Sequence, residues 1–259
     1  MTTSALQLRR RAIRDQISED EWRTRVDLAA CYRLMNRYGM TDLIYNHITA
    51  KIPGAGEQFL INAYGLHYAE VTASNLYKID SEGNIVLKPE IERGDWGLNP
   101  GGFTIHTAVH AARADIGCVL HSHTRAGVAV SAMKCGLLRL SQHALMFYGK
   151  LSYHDYGQPA IAEEGAAMVK SLGPANNFMM LRNHGVLVCG GTVRQTFLSA
   201  YFLEQACRIQ VDTVSAGRPV TQIDAALAEK LEAIFVFSGD MEWEAMIRQL
   251  DREEPDYKD

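Results

Sequence analysis

Two short apolar runs, each leading into a histidine, constrain this chain more than any other feature. Residues 116–120 deliver the chain to His121, and residues 178–181 lead toward His184. Runs this short, bounded by polar and glycine-rich stretches, are buried strands and not helices. The segments around them carry helical spacing. Ser18 and Glu21 have the S-x-x-E spacing of a capping box, and Trp22, Val26, Ala29, Ala30 and Leu34 then share one helix face that Gly39 ends. Residues 103–113, 127–133 and 163–172 repeat that spacing, the last closed by Gly173-Pro174. Thr192 caps a long helix over 192–216, and a final helix spans 223–250 with an interruption near Gly239. Strand-like runs at 43–51 and 58–62 flank Pro53-Gly54-Ala55-Gly56, and runs at 78–80 and 84–87 flank Ser81-Glu82-Gly83. Thr72-Ala73-Ser74-Asn75 reads as a cap or turn, residues 88–101 as a loop, and the strand at 178–181 as continuing past His184 through 186–188. Strands interleaved with helices in this way make an α/β protein.

The length of 259 residues suits one large domain, and neither a linker nor a repeat divides it. The expected layout is a flexible arm over 1–17, a domain over 18–250 and an acidic, disordered tail over 251–259. A net charge of −4 gives no basic field for nucleic acid, and Arg9-Arg10-Arg11 reads as a solvated start. No apolar run reaches the roughly 18 residues that cross a bilayer. The start of the chain has no apolar signal core, and the five cysteines are scattered and never spaced CxxC. A cytoplasmic protein with reduced thiols and a small-molecule substrate is the expectation.

His121-Ser122-His123 carries the sharpest chemical signal. Side chains at i and i+2 of a strand leave on the same face, so both imidazoles can reach one point. Leu181-Arg182-Asn183-His184-Gly185 places a third histidine at another strand end, where Gly185 permits a tight turn or a close approach. Three imidazoles with no fourth protein ligand are the pattern of a catalytic metal, whereas structural zinc closes its shell. On the residues alone, separately hydrogen-bonded histidines are the competing account. His106 and His110 share a helix face at i, i+4, a spacing that can also bind metal.

Several stretches together resemble the class II aldolase/adducin superfamily, and its adducin-type branch most. They are Asn46-His47-Ile48-Thr49, Tyr64-Gly65-Leu66, Glu70-Val71-Thr72-Ala73-Ser74, Gly102-Phe103-Thr104-Ile105-His106 and Val119-Leu120-His121-Ser122-His123-Thr124, followed by residues 131–138, Tyr153-His154-Asp155-Tyr156 and residues 181–185. The resemblance covers residues 22–217. It implies a three-layer α/β/α fold around a mostly antiparallel central sheet, and a homotetramer with its site near a subunit boundary. It also implies a divalent metal on His121, His123 and His184, zinc first, with iron or manganese as alternatives; His106 and His110 lie outside the family's metal positions and read as packing or hydrogen-bonding residues.

The departures from the family bear on function. The aldolases' catalytic glutamate falls on Gly102, which cannot move a proton. Their two hydroxyl residues that help bind phosphate fall on Pro100 and Gly101. Their phosphate-binding asparagine lies nearest His47, and a threonine becomes Tyr64, before Gly65. Substrate contacts are therefore expected at His47, Tyr64, Gly65, Gly101 and Gly102, but not for a sugar phosphate. His143 lies where the family brings a catalytic side chain across the subunit boundary; with Tyr148 it is the candidate acid/base group. His154-Asp155-Tyr156 reads as a buried polar turn, and Glu204 as either a support for a histidine or a solvated or interface group. The function expected is a metal-dependent lyase on a small, non-phosphorylated oxo- or hydroxy-acid, by retro-aldol cleavage or decarboxylation. The alternatives are a non-haem iron oxygenase using the same histidines and a non-catalytic module like the adducin head, although the adducins' long basic tail has no counterpart in residues 253–259.

Overall fold

A computed structural model describes residues 13–91, 94–157, 162–231 and 239–259. Helix α1 (Glu19–Arg37) is followed by strands β1 (His47–Lys51) and β2 (Gln58–Ile61), two short 3-10 turns, β3 (Tyr77–Asp80) and β4 (Ile85–Leu87). Then come α2 (Pro100–Ala112), β5 (Cys118–Ser122), α3 (Arg125–Ser131), α4 (Gln142–Leu145), β6 (Leu151–His154), α5 (Ala162–Leu172), β7 (Phe178–Leu181) and β8 (Gly185–Gly190). The long α6 (Val193–Ser215), α7 (Ala225–Leu231), α8 (Asp240–Glu253) and a 3-10 turn (Pro255–Lys258) complete the order. The strands form one sheet in the order β4-β3-β2-β1-β5-β8-β7-β6. Only β6 and β7 pair in parallel; the other neighbours are antiparallel. The mostly antiparallel α/β expectation holds.

The period of two along the central strands builds the layers. Cys118 and Leu120 of β5, Val186 and Val188 of β8 and Met180 of β7 enter a core shared with α1, α3, α6 and α8. Their alternates Val119, Leu187, Cys189, Met179 and Leu181 enter a second core under α2 and α5. Helices therefore cover both faces of the sheet. On β1 the same alternation sends Ile48 and Ala50 to the first core and leaves His47 and Thr49 on the α2 side. At the start of α1, Ser18 Oγ accepts from the Glu21 amide at 3.1 Å. The Glu21 carboxylate does not complete a capping box; it accepts from the buried Arg25 at 3.0 Å and from Lys78 at 2.8 Å.

Four expectations need correction. The acidic tail is ordered: Tyr257 is fully buried, the Ser74 amide donates to the Asp259 carbonyl at 2.8 Å, and Arg33 donates to Asp256 at 2.8 Å and to Glu254 at 3.4 Å. Cations on α1 neutralise the acid run whose self-repulsion motivated a disordered reading. Residues 13–17 are not a loose arm, because Ile13 is buried with Trp22 and Ala73, and Arg14 donates to Glu19; residues 1–12, with the arginine triplet, lie outside the described residues. The strand expected over 43–51 begins only at His47, after a loop in which Leu43 has φ of 48°. The strand at 178–181 does not continue through 186–188. The chain reverses at Arg182-Asn183-His184, where Asn183 takes φ of 60°, and β8 returns antiparallel beside β7. Gly239, at φ of 72°, starts α8, and residues 232–238 of the expected final helix lie outside the described residues.

Candidate metal centre

β5 and the β7–β8 turn bring His121, His123 and His184 together. Nε2 of His123 lies 2.8 Å from Nε2 of His121 and 3.0 Å from Nε2 of His184. His121 is buried, whereas His123 and His184 are half-buried at one side of the sheet. Gly185 is required by close approach, since a Cβ there would lie 2.4 Å from the Ser122 carbonyl oxygen. Arg182 pins the turn by donating to the Met133 carbonyl at 2.8 Å while its guanidinium lies over the Tyr153 ring.

The hydrogen bonds behind these rings fix their tautomers. His121 Nδ1–H donates to the Val186 carbonyl at 2.9 Å. A carbonyl only accepts, so Nε2 of His121 carries a lone pair. His123 Nδ1–H donates to the Asp42 carboxylate at 3.1 Å, leaving a lone pair on its Nε2 as well. Two lone pairs 2.8 Å apart repel unless a proton or a cation lies between them. A proton is the poorer answer, because burial, with His47, His123 and His184 as neighbours, holds the His121 pKa well below the usual histidine value. Burial, with His123 beside it, likewise pushes His184 down to about 4. Three imidazoles converging on one point fit a divalent cation.

The family model for the class II aldolase and adducin N-terminal domain matches residues 26–211. The chain belongs to the class II aldolase and adducin family. A crystal structure of an aldolase II superfamily protein from Pseudomonas syringae is 43% identical, with a TM-score of 0.89, covering 95% of this chain and 99% of that one. Rat alpha-adducin is 47% identical over 199 residues, covering 75% of this chain but 26% of the adducin. L-fuculose 1-phosphate aldolase from Glaciozyma antarctica PI12 shares the fold, with a TM-score of 0.82 at 24% identity and 93% of each chain covered.

In this class II aldolase family member the space beside Gly102 is filled by a ring from β1. A Cβ on Gly102 would lie 2.6 Å from His47 Cγ and 2.7 Å from its Cδ2. His47 pairs directly across from His121 in the β1–β5 ladder, and the two rings are 5.0 Å apart. Behind it runs a buried polar row. His47 Nδ1 is 2.9 Å from His106 Nε2, Thr49 Oγ1 is 2.8 Å from His106 Nδ1 and 2.9 Å from His110 Nε2, and His110 Nδ1–H donates to the Ile116 carbonyl at 3.3 Å. Burial drives the pKa of His47 and His106 well down and pushes His110 to about 4. His106 and His110 are thus hydrogen-bonding residues.

The other expected substrate residues are held by the protein itself. The amides of Gly101 and Gly102 donate to the Asn99 side chain at 3.1 and 3.3 Å, capping α2. The Tyr64 amide donates to the Gly97 carbonyl at 3.0 Å, and the Trp96 indole lies so close to Gly65 that a Cβ would overlap it. His143 stacks near Phe202 and Tyr148 lies beneath Arg139; among the described residues neither makes a hydrogen bond or ring contact with the three histidines. His154 ends β6 and bonds Ser171 and Glu164, but Asp155 and Tyr156 are exposed, so the stretch is not the buried polar turn expected. The Tyr156 ring lies 6.0 Å from that of His184. Glu204 is buried, not solvated, and bonds Arg208 and none of the three histidines. The sequence reading missed Asp42 and Thr49. Thr49 had a signal, since it shares a strand face with His47 at i+2. Asp42 had none, because its reach to His123 depends on the loop before β1.

Proposed function

We propose that this protein is a metal-dependent lyase acting on a small, non-phosphorylated oxo- or hydroxy-acid, by retro-aldol cleavage or decarboxylation. The carrying observation is the convergence of three imidazole nitrogens at one point, two of them with a lone pair directed there. His121, His123 and His184 would hold a divalent cation, zinc first, with iron or manganese as alternatives. When bound, the cation supplies Lewis-acid stabilisation of negative charge on a carbonyl or carboxylate oxygen. The Val186 carbonyl and Asp42 hold two of the rings in the tautomer that keeps Nε2 free. His47, Tyr64, Gly65, Gly101 and Gly102 form the substrate wall. Since Gly102 offers no carboxylate, the acid/base group is assigned to His143 or Tyr148, reaching the site from a neighbouring subunit of a cytoplasmic homotetramer. No helix among the described residues is long and apolar enough to cross a membrane.

Exclusion of sugar phosphates is supported by the engaged amides of Gly101 and Gly102, which removes donors a phosphate needs, and by Trp96, which fills the space beside Gly65. The test has two stages. Metal content is measured on protein purified without added metal, and turnover is then compared for ketose phosphates and for oxo- and hydroxy-acids with zinc, manganese or iron restored. Turnover of a ketose phosphate within about tenfold of the ordinary enzymatic median near 10 s⁻¹ would overturn the substrate class. The similarity to alpha-adducin favours a second reading, a non-catalytic interaction module; wild-type protein that binds no divalent metal would favour that reading.

A further inference from the structure

The buried row behind His47 has a direction, and it is set at its far end. The Ile116 carbonyl can only accept, so His110 carries its proton on Nδ1 and a lone pair on Nε2. Thr49 then donates its hydroxyl hydrogen to His110 Nε2 and accepts from His106 Nδ1–H. That leaves a lone pair on His106 Nε2, which can be satisfied only by His47 Nδ1–H. The proton of neutral His47 is therefore on Nδ1 and its lone pair on Nε2. Among the described residues no hydrogen bond reaches that Nε2. His47 lies on the same face of the sheet as His121, ring beside ring, and it fills the space above Gly102.

We propose that His47 Nε2 is a fixed hydrogen-bond acceptor for a substrate hydroxyl, and that Thr49, His106 and His110 are positioning residues that lock its tautomer. The inference rests on the lyase reading and narrows it: a hydroxy-acid, which brings a donor, fits this wall better than an oxo-acid, which brings none. The acceptor is neutral and comes from β1, in place of a carboxylate from α2. Its direction is dictated by one backbone carbonyl four hydrogen bonds away.

Two measurements on zinc-loaded protein test this. Two-bond proton–nitrogen spectra of ¹⁵N-histidine-labelled protein, with H47F used for assignment, read the tautomer directly. The expected result is the Nδ1–H form of His47, opposite to the form that neutral histidine favours in water. Thr49→Val, which cuts the row, should turn that signal into a mixture of tautomers, a change that a merely structural threonine would not produce. Calorimetry then compares lactate with propionate as probes. Wild type should prefer lactate, and H47F should lose about tenfold of that preference at unchanged zinc content, the worth of one hydrogen bond. An Nε2–H signal from His47 overturns the proposal without touching the metal centre, and so does an undiminished lactate preference in H47F. Should H47F fail to fold, H47Q supplies both the assignment and the binding comparison in its place. Wild-type protein that binds no zinc overturns the metal reading, and with it the acceptor role.

Discussion

The two faces of the central sheet use the same strands to opposite ends. On the α1 and α6 side, Leu120, Val188, Met180, Phe197 and Leu34 close into a dry apolar layer. On the α2 side, between two smaller apolar clusters, His47, Thr49, His106, His110 and His121 fill the interior with imidazole. The first layer gains stability from burying carbon. The second buries nitrogen, and it is stable only because each histidine except at the open end has a partner. Stability is thus concentrated on one face and chemistry on the other, so the two should fail in different ways.

The largest effects should come from the histidine face. His184→Ala should drop bound metal from about one per chain to near zero and lower lyase turnover by about a thousandfold, the scale of several kcal/mol of charge stabilisation. Elemental analysis and kinetics on one preparation check both, and the fold should persist. Phe197→Ala should do the reverse, costing about 3–5 kcal/mol in a urea titration while the folded fraction keeps its metal. If either variant lost metal and stability together, the division between the faces would be wrong.

Acid should also single out the histidine face. In metal-free protein His110 titrates near 4 when folded and near 6.5 when unfolded. The unfolded chain therefore binds more protons across that window, and stability is complete above about 6.5 and falls as pH drops toward 4. His110 alone contributes on the order of 3 kcal/mol to that fall. Urea midpoints at pH 7.5 and pH 5 measure it, and His110→Gln should flatten the slope. The smallest effect expected is that of Gly102→Ala. Its Cβ would press on the His47 ring, costing about 1–3 kcal/mol. A Gly102→Ala protein as stable as wild type would show that the ring has room to move.

Much of this division could be read from residues alone. The strand-end His121-Ser122-His123 converges because strand side chains alternate, and residues 103–113 form a helix because their apolar spacing says so. Other features were hidden for stated reasons. The reversal at Asn183 depends on a left-handed backbone at a residue followed by histidine, not by the glycine that usually signals a hairpin. The tail read as disordered because its composition omits Arg33 and Arg37, which meet it from the far end of the chain. Thr49 looks like an ordinary strand threonine until α2 is laid across it. His143 and Tyr148 meet Phe202 and Arg139 and none of the three histidines, so this chain by itself gives no test of their expected role.

The overlap between Gly102 and His47 also limits the order in which this protein can change. A carboxylate cannot be introduced at residue 102 while the imidazole occupies its volume. Nor can His47 be trimmed first without leaving the His106 nitrogen unpaired in the interior. The two positions therefore behave as one heritable unit, with strongly non-additive single and double substitutions. A protein engineer who wants a long side chain at residue 102 must therefore redesign position 47 with it.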